Sequence, residues 1–152
     1  MSWRVARSLG GTATEGLHGE INASAPQRST VSDGSIGDAR HQRSRSQHNP
    51  CHCCFVVTAR DWTHDPKGGF DSYAFAEWLR VRVATGREPR VKYVISNARI
   101  YSGGGESHPA GLWRVYGGKN KHAHHVHVSV RHGAEHYDNT APWGWHPRAE
   151  EN

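Results

Sequence analysis

The chain has 152 residues, of which 35% are hydrophobic, the size of one domain with a single modest core. Its formal charge is +5 before any of the 13 histidines is counted, and its pI is near 9.4 with a mean hydropathy of -0.80. That balance suits an anionic partner such as nucleic acid, anionic lipid or an acidic wall polymer. No run approaches the roughly 18 apolar residues that a membrane span needs.

Taken in order, the basic start "MSWRVARSLGGTATEG" lacks the apolar stretch of a secretory signal, so synthesis in the cytoplasm is expected. Residues 2 to 25 carry Trp3, Ala6, Leu9, Leu17 and Ile21 at loosely helical spacing, but Gly10, Gly11, Thr12 and Thr14 interrupt them. The expectation there is a weak or broken helix. Residues 22 to 38 are turn-rich and read as a loop. A basic cluster, "RHQRSRSQH", follows at 40 to 48. All 3 cysteines fall in "CHCC", 51 to 54, which is neither a disulfide framework nor the paired C-x-x-C of a structural zinc site.

"FVVTARDW", 55 to 62, is rich in β-branched and aromatic residues and predicts a strand. A helix is predicted from Asp71 or Ser72, with Phe75, Trp78, Leu79 and Val83 on one apolar face and Arg82 at its margin. Gly86 and Pro89 end it. "RVKYVISNARIYS", 90 to 102, has the alternation of a β-hairpin turning at "SNA", and "GGGESHPAG" after it reads as a loop. With no internal repeat and no linker, the prediction is a single α+β domain with a small antiparallel sheet and flanking helices. Residues 1–30 are an irregular helical segment and 31–147 the core.

The densest chemistry lies in "KHAHHVHVS", 121 to 129. Strand alternation points Val126, Val128 and Val130 to one face and His125, His127 and Ser129 to the other. Two imidazoles on one side of a strand are a common part of a zinc site, though a solvent-facing polar stripe has the same pattern. Upstream, His48 sits in a polar turn, and Asp61 ends an apolar run where a carboxylate needs a cation or a partner. His48, Asp61 and His127 supply two nitrogens and one oxygen, leaving a fourth position for water, which zinc brings to a pKa of about 7. His64 reads as an alternative ligand, a partner to one, or part of a "THDP" turn.

Together these elements resemble the zinc D-Ala-D-Ala carboxypeptidase and L-alanyl-D-glutamate endopeptidase family, which shares its fold with the hedgehog signalling domain. The motifs are Ser46-Gln47-His48, Ala59-Arg60-Asp61 and His125-Val126-His127. "SDGSIGDARH", "SQHNP", "DWTHDPKGGFD", "KYVISNARIYS", "HHVHVSV" and "YDNTAPWGW" are similar, in type and order, to an actinobacterial and phage endolysin-like branch. The resemblance spans roughly residues 30 to 145. It implies a hedgehog/DD-peptidase-like fold, with His48, Asp61 and His127 as Zn2+ ligands. It also implies that His125 stabilises the transition state or moves a proton, and that Arg40 steadies the oxyanion or a substrate carboxylate.

The chain departs from the family in two places. The glutamate that serves as general base just before the last histidine is replaced by "KHAHH", leaving His125 or His122, or more distantly Glu106, to substitute. Where the branch has a glycine after "HNP", this chain reads "CHCCFVV", one residue longer.

The implied activity is that of a metallopeptidase, a hydrolase cleaving the peptidoglycan stem peptide. It would act as a monomer at the cell wall, without membrane or nucleic acid as partner, after holin-like release or lysis. One alternative is a wall- or metal-binding module of the same fold with impaired catalysis. Another is a basic nucleic-acid-binding protein built on "RHQRSRSQH" and a zinc-bound "CHCC".

Overall fold

A computed structural model describes residues 12–34, 58–105 and 107–146. These form an α+β arrangement in the order α1 (Thr12–Ser24), β1 (Ala59–Thr63), α2 (Ser72–Ala84), β2 (Val91–Ser96), β3 (Arg99–Ser102), β4 (Arg114–Val115), β5 (His125–Val130) and α3 (Ala134–Tyr137). The five strands make one antiparallel sheet in the order β1-β5-β2-β3-β4. The α+β class with a small antiparallel sheet is therefore as expected. No helix among the described residues is long and apolar enough to cross a membrane.

Of the segment expected to form a weak or broken helix, Gly10 and Gly11 lie outside the described residues, and the part from Thr12 on is helical. Thr12–Ser24 is one continuous helix despite Gly16 and Gly19. Ala13, Leu17 and Ile21, four residues apart, are all buried in the core. Burial of that stripe outweighs the roughly 1 kcal/mol that each helical glycine costs relative to alanine. α2 follows its predicted pattern: Asp71 caps it by accepting from the Tyr73 and Ala74 N–H groups, and Phe75, Leu79 and Val83 are buried. Arg82 lays its guanidinium over the Trp78 ring at 5.2 Å, with its Nε buried. The valines of β5 join Trp62, Phe75 and Leu79 in one core.

The β2–β3 hairpin turns through Asn97 and Ala98, both in the left-handed region at φ 46° and 65°, as a two-residue turn with right-handed strand twist requires. The tip is clamped by the segment before β5, where the Asn97 N–H donates to the His122 carbonyl and the Ala98 N–H to the Lys121 carbonyl. Between β3 and β4 the chain folds back through Gly111, at φ 67°. A Cβ there would lie 2.6 Å from the Ala84 Cβ, against the end of α2. Gly111→Ala is therefore expected to lower stability by about 1–3 kcal/mol, through overpacking and backbone strain together, measured as a fall in the urea midpoint.

Candidate metal centre

One face of the sheet carries the core valines, and the opposite face carries the polar cluster. Direct antiparallel partners share a face, so the register Asp61↔His127 sets a carboxylate beside an imidazole across strands 66 residues apart. Asp61 is held by backbone bonds on its other side as well: its N–H donates to the Gly34 carbonyl at 2.7 Å, and its carbonyl accepts from the Gly34 N–H at 3.2 Å. Gly34 thus extends the sheet by one bridge beyond β1.

His127 Nδ1 lies 3.2 Å from Asp61 Oδ1, and His125 Nε2 lies 3.6 Å from Asp61 Oδ2. His127 is 5% exposed. Its other nitrogen, Nε2, is 2.8 Å from Ser129 Oγ, on the same side of the strand. The Tyr93 ring stacks on the His127 ring, at 5.3 Å between centroids and 7° between planes. Burial raises the Tyr93 phenol above its ordinary pKa, and a hydrogen bond with Ser129 partly offsets the rise.

A third imidazole belongs to the cluster. The His122 ring packs edge-on against His125 and His127, with centroids 4.8 and 5.6 Å away. Its backbone is left-handed at φ 56°, a conformation costly for a side chain with a Cβ. Asn120 holds it there twice: its Oδ1 accepts from the His122 N–H at 3.0 Å, and its carbonyl lies 2.8 Å from His122 Nδ1. A carbonyl can only accept, so the proton sits on Nδ1 and the lone pair on Nε2. Burial, then the nearby His127 and His125, push His122 down to about 4, so the ring is neutral at pH 7.

The remaining sequence-derived residues are placed as follows. His48, Arg40, Glu106 and Cys51 to Cys54 lie outside the described residues. His64 is engaged elsewhere: its Nδ1 accepts from the Ser72 N–H at 3.1 Å and lies 2.9 Å from Ser72 Oγ, at the start of α2, and its ring stacks on Tyr73. That nitrogen serves the helix end. His124 is exposed, and its carbonyl accepts from the His64 N–H.

Among the described residues no three His, Cys, Asp or Glu side chains are arranged to hold a metal ion. The donor chemistry of Asp61 and His127 nevertheless fits zinc. An oxygen and a nitrogen donor meet at a partly buried position, and Ser129 stands at the far nitrogen of the imidazole, where an outer hydrogen-bond partner fixes a ligand's tautomer. The chain matches no protein-family model, no curated protein and no solved structure.

Proposed function

We propose that the chain is a zinc-dependent peptidase of the hedgehog/DD-peptidase fold that hydrolyses a peptide bond in the peptidoglycan stem peptide. The observation that carries this reading is the in-register pairing of Asp61 with His127, with His125 and His122 packed against the pair. Asp61 and His127, with His48, would hold the metal. When bound, zinc supplies Lewis-acid polarisation of a carbonyl and a water of lowered pKa.

The chain's own residues supply the rest. In amide hydrolysis water adds to the carbonyl carbon, the C–N bond breaks, and a proton passes from the water to the leaving amine. His122 Nε2, whose lone pair is fixed by the bond from Nδ1 to Asn120, takes that proton in place of the absent glutamate and returns it to the amine. His125, beside the Asp61 carboxylate, stabilises the developing negative charge, and Arg40 holds the oxyanion or a substrate carboxylate. The protein would act as a monomer on the cell wall, reached by holin-like release or lysis.

Elemental analysis of untagged protein, beside digestion of purified peptidoglycan followed by mass spectrometry, tests the reading. About one zinc per chain is expected in the wild type, with metal and cleavage both lost in Asp61→Ala and His127→Ala. Undiminished cleavage by His127→Ala would sink it. Zinc without any hydrolysis would select a binding module of the same fold, and zinc retained in both variants would move the metal to the Cys51 to Cys54 segment.

A further inference from the structure

Asp61 and His127 begin two rows that cross the sheet on the face opposite the core. One row runs Asp61, His127, Ile95, Ile100 and Arg114, each the direct partner of the next. The neighbouring row runs Ser129, Tyr93 and Ser102. The far end of both rows is a guanidinium: Arg114 Nη2 donates to Ser102 Oγ at 2.7 Å, and Nη1 donates to His108 Nε2 at 3.0 Å.

A histidine nitrogen that accepts from arginine is unprotonated, and a serine hydroxyl is neutral, so neither partner balances the arginine charge. The Arg114 Nε is buried with no hydrogen-bond partner. A half-buried guanidinium whose hydrogen-bond partners among the described residues are neutral, and which keeps an orphaned donor, is an anion site by its chemistry, and the fork suits a carboxylate. Ser102, which accepts from the arginine, still has its own hydroxyl proton to give the same anion.

The spacing selects the substrate. Adjacent strands are about 4.8 Å apart, which sets Arg114, three strands from His127, about 14 Å across the sheet from it. Tyr93, half-buried and stacked on His127, lies between them. An extended peptide covers about 3.3–3.6 Å per residue, so about four residues bridge that distance. We propose that Arg114 with Ser102 is a carboxylate subsite, and that the preferred substrates are acidic peptides with a carboxylate about four residues from the cleaved bond. This rests on the peptidase reading for the position of the cleaved bond. It favours endopeptidase action over removal of a single C-terminal residue, whose carboxylate would lie too close to the metal to reach Arg114.

The test uses fluorescein-labelled, C-terminally amidated stem-type pentapeptides that differ only in the position of one Glu or its Gln counterpart. Binding to the full chain is read by fluorescence anisotropy, and cleavage is mapped by mass spectrometry. The wild type is expected to bind the Glu peptide of matching spacing about 10- to 100-fold more tightly than its Gln counterpart, the range of a charge-assisted contact. Arg114→Gln should erase that preference, and Arg114→Lys should keep part of it, with zinc content unchanged in both. No Glu preference in the wild type, or an equal preference in Arg114→Gln, overturns the subsite. If Arg114→Gln does not fold, the wild-type preference and Arg114→Lys decide the matter. Preference without cleavage upholds the subsite and removes the peptidase reading, which separates the two failures.

Discussion

Arg90→Ala is expected to lower stability by about 3–5 kcal/mol, a large part of the 5–15 kcal/mol typical of a small domain. Arg90 is 3% exposed and so is Glu88. The guanidinium grips both carboxylate oxygens, with Nη2 at 2.6 Å from Oε1 and Nε at 2.9 Å from Oε2. Its remaining nitrogen, Nη1, donates to the Asn139 and Ala141 carbonyls at 3.0 and 2.7 Å. Its plane lies 3.9 Å over the Trp143 ring. One side chain therefore ties the entry of β2 to the C-terminal segment, and Trp143 ties that segment to α1 through its Nε1 bond to the Ala13 carbonyl.

Truncation leaves a buried carboxylate without a counter-charge, two carbonyls without a donor and an aromatic face without its cover. Replacing the pair together, as Glu88→Leu with Arg90→Met, should recover much of the loss because no uncompensated charge remains. Urea unfolding of the single and double variants measures both quantities. A single-variant loss below about 1 kcal/mol would mean that the pair is solvated in solution.

Elements with strong local patterns were legible in the sequence. The apolar stripe of α2, its Asp71 cap and the alternation of β5 each follow from residues within a few positions of one another. The continuity of α1 from Thr12 was less so, because Thr12 and Thr14 read as interruptions and the argument for a helix is the distant surface that Ala13, Leu17 and Ile21 cover. β4 has two residues, too few for a period, and exists because Arg99 and Ile100 offer it an edge. The role of Trp143 was equally hidden. Nothing near it in sequence announces that Arg90 and Ala13 will meet it.

The candidate site divides the same way. Asp61, His125 and His127 could be picked out as unusual residues for their positions, but a single sequence does not contain the register that sets Asp61 opposite His127. His122 was one of several substitutes for a missing base. Its distinguishing feature is the left-handed turn locked by Asn120, which turns one nitrogen to the backbone and frees the other. Arg114 read as one cation among 19 lysines and arginines. That its partners among the described residues are neutral becomes visible only once Ser102 and His108 are seen to meet it.

Arg28→Ala should be nearly as damaging, at about 3–5 kcal/mol, and it should also change how the protein responds to acid. The side chain is buried and forks onto Asp33, with Nη1 at 2.9 Å from Oδ1 and Nη2 at 2.7 Å from Oδ2, while Nε and Nη2 donate to Asn22 Oδ1 in α1. Asp33 Oδ1 accepts in turn from the Thr63 N–H and hydroxyl, at 2.8 and 2.7 Å, at the end of β1. The next residue, Gly34, bridges Asp61. Loss of Arg28 therefore loosens the segment that flanks Asp61, and on the proposed zinc reading weaker zinc retention should accompany the loss of stability. Burial alone would raise the Asp33 carboxyl, but the bonds from Arg28 and Thr63 outweigh it and hold the pKa below its ordinary value. A depressed carboxyl contributes stability above its unfolded pKa of about 3.9, and that contribution fades as pH falls through the lower folded value. Urea midpoints measured from pH 6 down to pH 2 should thus decline more steeply for the wild type than for Asp33→Asn, which has no carboxylate to titrate. Parallel curves would show that Asp33 is not the group through which acid weakens this end of the sheet.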